Sequence, residues 1–142
     1  MKTIQILLVE DNEGDAFLAK EAMEDSKIPN VLYVVENGQE ALDFVFQRSL
    51  FENSPVPDLI LLDINLPIKS GHEVLKEVKT SSTKNHIPVI ILTTSSAQRD
   101  IDLAYQYHAN CYITKPVNAE EFIMAVNKIE QFWNNIGTLP PK

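Results

Sequence analysis

The chain has 142 residues, of which 44% are hydrophobic and 23% charged, so it has the composition of one globular domain and not that of a disordered chain. Its formal net charge of -8 argues against nonspecific binding to nucleic acid or to an anionic membrane surface, because both need clustered lysine and arginine. The single cysteine excludes an internal disulfide, and the lack of a secretion signal or of an apolar run of roughly 18 residues favours a cytoplasmic protein.

Short apolar runs alternate with longer amphipathic segments along the chain. This pattern predicts strands over residues 4–9, 31–35, 59–62, 89–92 and 111–113. It predicts helices over residues 14–25, 39–48, 71–80, 97–107 and 119–134. The third and fourth strands are apolar on both faces, which is typical of a parallel sheet covered by helices on each side. Five such units predict an α/β fold with a doubly wound five-stranded parallel sheet.

Local signals mark several element ends. Asn37 and Ser96 are predicted N-caps, and Asn118 with Glu121 three positions later resembles a capping box. The segment 47–57, rich in Ser, Asn and Pro, is predicted to be an enlarged loop before the third strand.

The candidate functional residues follow four of the five predicted strands. They are Glu10 and Asp11, Asp63, Thr93, and Lys115 with Pro116. Because ligands of such sheets bind beyond the carboxyl ends of the strands, these residues are the candidates for chemistry.

Each of these residues taken alone also has a structural explanation. Asp11 or Asn12 could cap the helix that follows, Thr93 could be a β-branched residue ending a strand, and Lys115 could be an exposed lysine. The functional interpretation depends on their meeting at one rim.

Three carboxylates at one rim repel each other unless a cation lies between them, and Mg2+ prefers oxygen ligands of this kind. Glu10, Asp11 and Asp63 with Lys115 and one Mg2+ give a formal charge of zero. Asp63 is the predicted nucleophile toward phosphorus, Lys115 the counter-cation and Thr93 a hydroxyl donor to a phosphoryl oxygen.

This set of residues resembles the receiver domain of two-component response regulators. Thr93 and Lys115 lie 30 and 52 residues after Asp63, which are separations typical of that family, and the string from Asp63 to Pro67 with Gly71 resembles its phosphoacceptor loop. The resemblance covers about residues 4–134. It implies a flavodoxin-like sheet of strand order 2-1-3-4-5 and one receiver domain over residues 1–142, with a tail from about 135 to 142 and no output domain.

The resemblance also implies the roles of individual residues. Asp63 is phosphorylated by a partner histidine kinase, Asp11 ligates Mg2+ directly, Glu10 acts through water, and Asn65 contributes its backbone carbonyl. Pro116 follows a cis peptide bond in this family.

Tyr112 occupies the position of the aromatic switch that acts together with Thr93 in receivers. The alternative is a strand tyrosine with a packed ring and its hydroxyl at the surface. The switched face comprises helix four, strand five and helix five.

Segment 108–112 and the tail 132–140 resemble the stand-alone regulators paired with phytochrome histidine kinases in cyanobacteria. Homodimerisation through the switched face and the tail is therefore expected. A second apolar stripe, Phe132 and Ile136, could instead dock a kinase or pack on its own domain.

Other functions are less consistent with the sequence. A binding module that signals without phosphate would usually have lost Asp63 or Lys115, a phosphatase needs a second acid where Asn65 stands, and a flavin carrier needs a phosphate loop that is not acidic. The three histidines are interpreted as structural, and Cys111 as an inert buried thiol.

Overall fold

A computed structural model describes residues 3–26 and 28–115 and, beyond these, residues 120, 121, 124, 127, 128 and 131, which are helical. The strands are β1 (Ile4–Val9), β2 (Asn30–Val35), β3 (Leu59–Leu62), β4 (Val89–Thr93) and β5 (Cys111–Thr114). The helices are α1 (Glu13–Glu24), α2 (Gly38–Val45), α3 (Gly71–Thr80) and α4 (Gln98–Gln106), with a 3-10 helix at Ser49–Phe51.

The five strands form one parallel sheet of order β2-β1-β3-β4-β5, which confirms the predicted α/β flavodoxin-like fold. The register brings the strand ends to one rim: Val9 lies beside Leu62, Leu62 lies beside Ile91 two residues before the end of β4, and Thr93 lies beside Thr114. The residue that follows each of these strands therefore emerges at the same rim of the sheet.

Each face of the sheet has its own apolar core. All four residues of β3 and four of the five in β4 belong to these cores, and alternate side chains point to opposite faces. Thr93 is the polar member of β4 and is also fully buried. Burial on both faces explains why these two strands have no polar-apolar alternation.

Side-chain caps fix the starts of three helices. Asn12, Asn37 and Ser70 accept hydrogen bonds from the backbone N–H three residues further on. The prediction that Asn37 is the N-cap of its helix is confirmed, whereas the prediction that Ser96 is the N-cap of α4 is wrong. Ala97 is the N-cap of α4 and makes no side-chain capping bond; the Ser95 hydroxyl accepts from its N–H instead, at 3.3 Å.

The predicted helix 39–48 extends too far. α2 ends at Val45, and Gln47 and Ser49 adopt positive φ angles of 52° and 54°, which a helix cannot accommodate. The aromatic ring of Phe51 packs 5.4 Å from that of Phe44. Part of the predicted loop 47–57 is therefore anchored on the core.

Several predictions fall outside the described residues. These are the Lys115-Pro116 peptide bond, the capping box of Asn118 with Glu121, most of the helix 119–134, the stripe of Phe132 and Ile136, and the tail from about 135. In the part of the chain that the structure describes, no helix has both the length and the apolar character needed to cross a membrane.

Candidate functional site

Three carboxylates meet at the rim formed by the ends of β1 and β3. One oxygen each of Glu10, Asp11 and Asp63 lies within 4.8 Å of the others. Glu10 and Asp63 are buried, and Asp11 is exposed at the mouth of the cluster. The parallel register of Val9 and Leu62 brings these acids together, as the sequence predicts.

Lys115 directly follows β5, and its ammonium group lies among the acids. Its Nζ forms an ion pair with Glu10 Oε1 and lies 2.9 Å from Asp63 Oδ2 and 3.0 Å from Asp15 Oδ2. The lysine side chain is only 2% exposed. The alternative of an exposed lysine, which is the usual environment of this residue type, is therefore wrong. An ammonium has three N–H donors, and these three carboxylates accept all of them.

The second oxygen of Asp63 has its own donors. The Thr93 hydroxyl donates to Oδ1 at 2.7 Å, and the Asn65 backbone N–H donates to the same oxygen at 3.2 Å. Asp63 is thus contacted by donors from the ends of β3, β4 and β5. No other carboxylate in the described residues has contacts with Lys115, Thr93 and Asn65 together.

Burial and charge determine the protonation of this site. Burial raises the pKa of Glu10 to about 7, with Lys115 opposing the shift and Asp63 adding to it. Burial alone would lower the pKa of Lys115, but its hydrogen bonds and charge interactions with Glu10 and Asp63 outweigh burial and raise it. Lys115 therefore remains positively charged.

The carboxylate oxygens of the cluster are suitable ligands for a divalent cation. Hard cations such as Mg2+ prefer carboxylate oxygens, and a small group of carboxylates plus water satisfies them. With Asp15 included, four carboxylates and one ammonium leave the site at a formal charge of -3. A divalent cation would bring the formal charge to -1. The site is therefore more negative than the sequence predicts, because the predicted formal charge of zero did not include Asp15.

The loop after β3 packs tightly against two glycines. A Cβ on Gly71 would lie 2.2 Å from the Asp63 carbonyl oxygen, and one on Gly38 would lie 2.1 Å from the Lys69 carbonyl oxygen. Ile68, between these contacts, has a φ of 71°, which β-branched residues rarely adopt. Helices α2 and α3 thus hold the backbone that carries Asp63.

A hydrogen-bonded path leads away from Asp63 toward β5. Ser95 N–H donates to the Thr93 hydroxyl at 3.4 Å, and the Tyr112 hydroxyl donates to the Ser95 carbonyl at 2.8 Å. The Ser95 hydroxyl donates to Asp100 Oδ2 at 2.6 Å, which ties the start of α4 to the same path. Burial raises the pKa of Tyr112, its bond to Ser95 lowers it, and the charges of Asp100 and Asp63 raise it further. The Tyr112 hydroxyl is part-buried and hydrogen-bonded, so it does not lie free at the surface.

Two contributors to this site, Asp15 and Ser95, were not predicted. Asp15 lies in the first turn of α1, whereas Asp11 precedes the N-cap Asn12, so no helical spacing relates the two residues and no such spacing identified Asp15. Ser95 had no sequence signal either, because its role comes mainly from its backbone groups.

Of the residues predicted to be structural, His72 and Cys111 show no contact with the acidic cluster. His72 Nε2 lies 3.1 Å from the Asp100 carbonyl oxygen and is part-buried. Cys111 is a free thiol and is half-buried, not buried as expected, since its strand lies at the edge of the sheet.

Comparison with known proteins identifies the family. The model of the response regulator receiver domain matches residues 6–127. Response regulator Rcp1 from Synechocystis sp. is 44% identical over 135 residues, which cover 95% of this chain and 92% of Rcp1.

Two solved structures are similar over nearly their whole length. The phosphorylated cyanobacterial phytochrome response regulator RcpA has a TM-score of 0.93 and 44% identity, covering 99% of this chain and 100% of RcpA. The Mn2+-bound form of Rcp1 has a TM-score of 0.91 and 43% identity, covering 97% of this chain and 99% of Rcp1. The chain therefore belongs to the response regulator receiver domain family, and it resembles the response regulators of cyanobacterial phytochrome signalling.

Proposed function

We propose that this protein is a two-component response regulator in which Asp63 accepts a phosphoryl group from a partner histidine kinase in a Mg2+-dependent reaction. The observation that carries the proposal is the environment of Asp63. Its two carboxylate oxygens are contacted by an ammonium, a hydroxyl and a backbone N–H, and they lie beside two further acids. Positive charge and donors around one carboxylate are what a transferred phosphoryl group requires.

In the proposed reaction, one carboxylate oxygen of Asp63 forms a bond to phosphorus while the bond from phosphorus to the donor atom breaks. The donors that now contact Asp63 become available to the phosphoryl oxygens. The Thr93 hydroxyl and the Lys115 ammonium, at 2.7 Å and 2.9 Å from the carboxylate, lie close enough to transfer to them after small movements.

Asp11 and Asp63, together with Glu10 through water and the backbone carbonyl of Asn65, would hold the Mg2+. When bound, the ion supplies charge neutralisation for the transferred oxygens. The Mn2+-bound form of Rcp1 supports binding of a divalent ion, and the all-oxygen ligand set is of the kind that suits Mg2+ as well as Mn2+.

The proposed output passes through Thr93 and Tyr112. When Thr93 turns toward a phosphoryl oxygen, its bond with the Ser95 N–H changes, and the Ser95 carbonyl that accepts from Tyr112 moves with it. The phosphorylation state is thereby connected to the face formed by α4 and β5. The switch acts on protein contacts at that face.

A sensor histidine kinase of the bacterial phytochrome class is the proposed partner, because Rcp1 and RcpA are the relatives with the highest identity described above. Homodimerisation is proposed through α4, β5 and the following segment. On α4, Tyr105 is 49% exposed and supplies apolar surface for such a contact.

The test is intact mass after incubation with Mg2+ and acetyl phosphate. One phosphoryl adduct is expected on the wild type and none on Asp63→Asn. Asp25→Asn is the control: it makes the same chemical change at the C-cap of α1, at the end of the helix away from the acidic cluster, and should be modified like the wild type. No adduct on the wild type, under conditions that modify another receiver, would favour a binding module that signals without phosphate.

A further inference from the structure

Lys115 belongs to a closed ring of hydrogen bonds with the turn between β1 and α1. Its ammonium bonds Glu10, whose other oxygen accepts from the Asn12 N–H at 3.2 Å. The Asn12 side chain accepts from the Asp15 N–H at 2.9 Å. Asp15 Oδ2 accepts from the Lys115 ammonium at 3.0 Å, which closes the ring. The N-cap of α1 and the lysine after β5 are therefore fixed relative to each other.

The three acceptors of Lys115 are not equivalent. Glu10 and Asp63 belong to the group of oxygens that would hold the metal, and Asp63 is also the proposed acceptor of phosphorus. Asp15 is outside that group, although its carboxylate is as close to the ammonium as that of Asp63. Asp15 is thus the acceptor with no other function in the site.

We infer that Asp15 is the positioning residue of Lys115, and that it keeps the ammonium beside Asp63 when Glu10 and Asp63 are engaged elsewhere. The inference rests on the proposed function for its effect on phosphorylation. Its structural part, that Asp15 restrains the lysine, concerns the metal-free protein and stands separately.

The geometry of Asp15 suits this role. Its backbone is held in the first turn of α1 by the Asn12 cap, and its side chain is 29% exposed while that of Lys115 is 2% exposed. Asp15 is therefore the more exposed member of this ion pair. An anchored carboxylate of this kind restricts the rotation of a long, flexible lysine side chain. The lysine therefore loses less conformational entropy when it reaches the reactive geometry.

Two substitutions separate the acceptor from its charge. Asp15→Asn keeps an oxygen acceptor of the same size and loses the charge, whereas Asp15→Ala loses both. Glu13→Gln is the matched control, because it removes one negative charge from the same exposed turn of α1. The phosphorylation rate with acetyl phosphate and Mg2+ is expected to fall about tenfold in Asp15→Ala and about threefold in Asp15→Asn, consistent with the loss and the weakening of one charge-assisted bond.

The second readout is reductive methylation of lysines in metal-free protein, quantified by peptide mass. Lys115 is expected to be methylated several times faster in Asp15→Ala than in the wild type or Glu13→Gln. Lys79, whose ammonium donates to the carbonyl of Ile87 at 2.8 Å far along α3, serves as the reference, since its methylation should change only if the whole fold loosens.

Faster methylation of Lys115 at an unchanged rate for Lys79, together with slower phosphorylation, would support the inference. Wild-type methylation of Lys115 in Asp15→Ala would overturn it, as would equal phosphorylation rates in Asp15→Ala and Glu13→Gln. If the wild type takes no phosphoryl group at all, the proposed function fails, and the methylation of Lys115 alone decides whether Asp15 restrains it.

Discussion

Substitution of Gly71 by alanine tests how tightly the backbone of Asp63 is held. The added Cβ would lie 2.2 Å from the Asp63 carbonyl oxygen and 2.7 Å from Ile64 Cα, where ordinary contact begins at 3.4 Å. Both neighbours are backbone atoms, so no side-chain rotation relieves the overlap. Overpacking of this kind costs about 1–3 kcal/mol. For a domain of this size the loss corresponds to a decrease in Tm of roughly 3–12 °C.

The same substitution should also affect the reaction, because the displaced atoms carry the proposed phosphoacceptor. A displacement of about 1 Å at a reacting group costs up to about 100-fold in rate. The assays are thermal denaturation and phosphorylation by acetyl phosphate in Mg2+.

Gly14→Ala is the control for the substitution itself. Its Cβ would meet only the Asn12 side-chain oxygen, at 3.3 Å, and a shift of a few tenths of an ångström, small enough to keep the bond from the Asp15 N–H, relieves this contact. We expect its stability to lie within about 0.5 kcal/mol of the wild type. Equal Tm values and equal rates for Gly71→Ala and Gly14→Ala would refute the reasoning from close backbone contact.

Three further changes test single contacts. Thr93→Val removes the buried 2.7 Å bond to Asp63 and should cost about 1–3 kcal/mol in urea denaturation, whereas Thr93→Ser should cost less. Because burial raises the pKa of Glu10 from 4.5 to about 7, the stability that this group contributes is complete below pH 4.5 and is lost as the pH rises through 7. Glu10→Gln should remove that part of the pH dependence, measured by denaturation in chelator. Asn37→Ala removes the cap bond to the Glu40 N–H and should cost about 1 kcal/mol by the same assay, with Asn37→Asp closer to the wild type.

The rim residues could be predicted because their position follows from topology alone. In a parallel sheet the carboxyl ends of the strands share one edge, so Glu10, Asp63 and Lys115 converge whatever the details of the helices. Asp15 required one more step. It lies in the first turn of α1 and not at a strand end, and its contact with Lys115 depends on how α1 begins at Asn12.

The strands were predicted better than the helix ends, for a physical reason. Residues 46–48 continue a plausible helical pattern, but the chain leaves α2 at Phe46 and turns through left-handed Gln47 and Ser49 to place Phe51 against Phe44. This ending is set by tertiary packing, which local propensity does not contain. The cap of α4 shows the same limit. The Ser95 side chain binds Asp100 and the Ala97 N–H, and Ser96 is left without the predicted role.

The charge of the site gives a reason to expect that Asp15 contributes more than stability. Each added carboxylate at this rim repels the others and opposes an incoming phosphoryl group, so a fourth acid is unfavourable by charge alone. Its ion pair with Lys115 offsets part of this cost, because the lysine is 2% exposed and would otherwise have only acceptors that the metal or phosphorus would also engage. A surface carboxylate that served solubility would have no need to contact this ammonium. The contact at 3.0 Å therefore favours two opposing effects of Asp15: its negative charge lowers the affinity of the site for anions, and its ion pair restrains the position of Lys115.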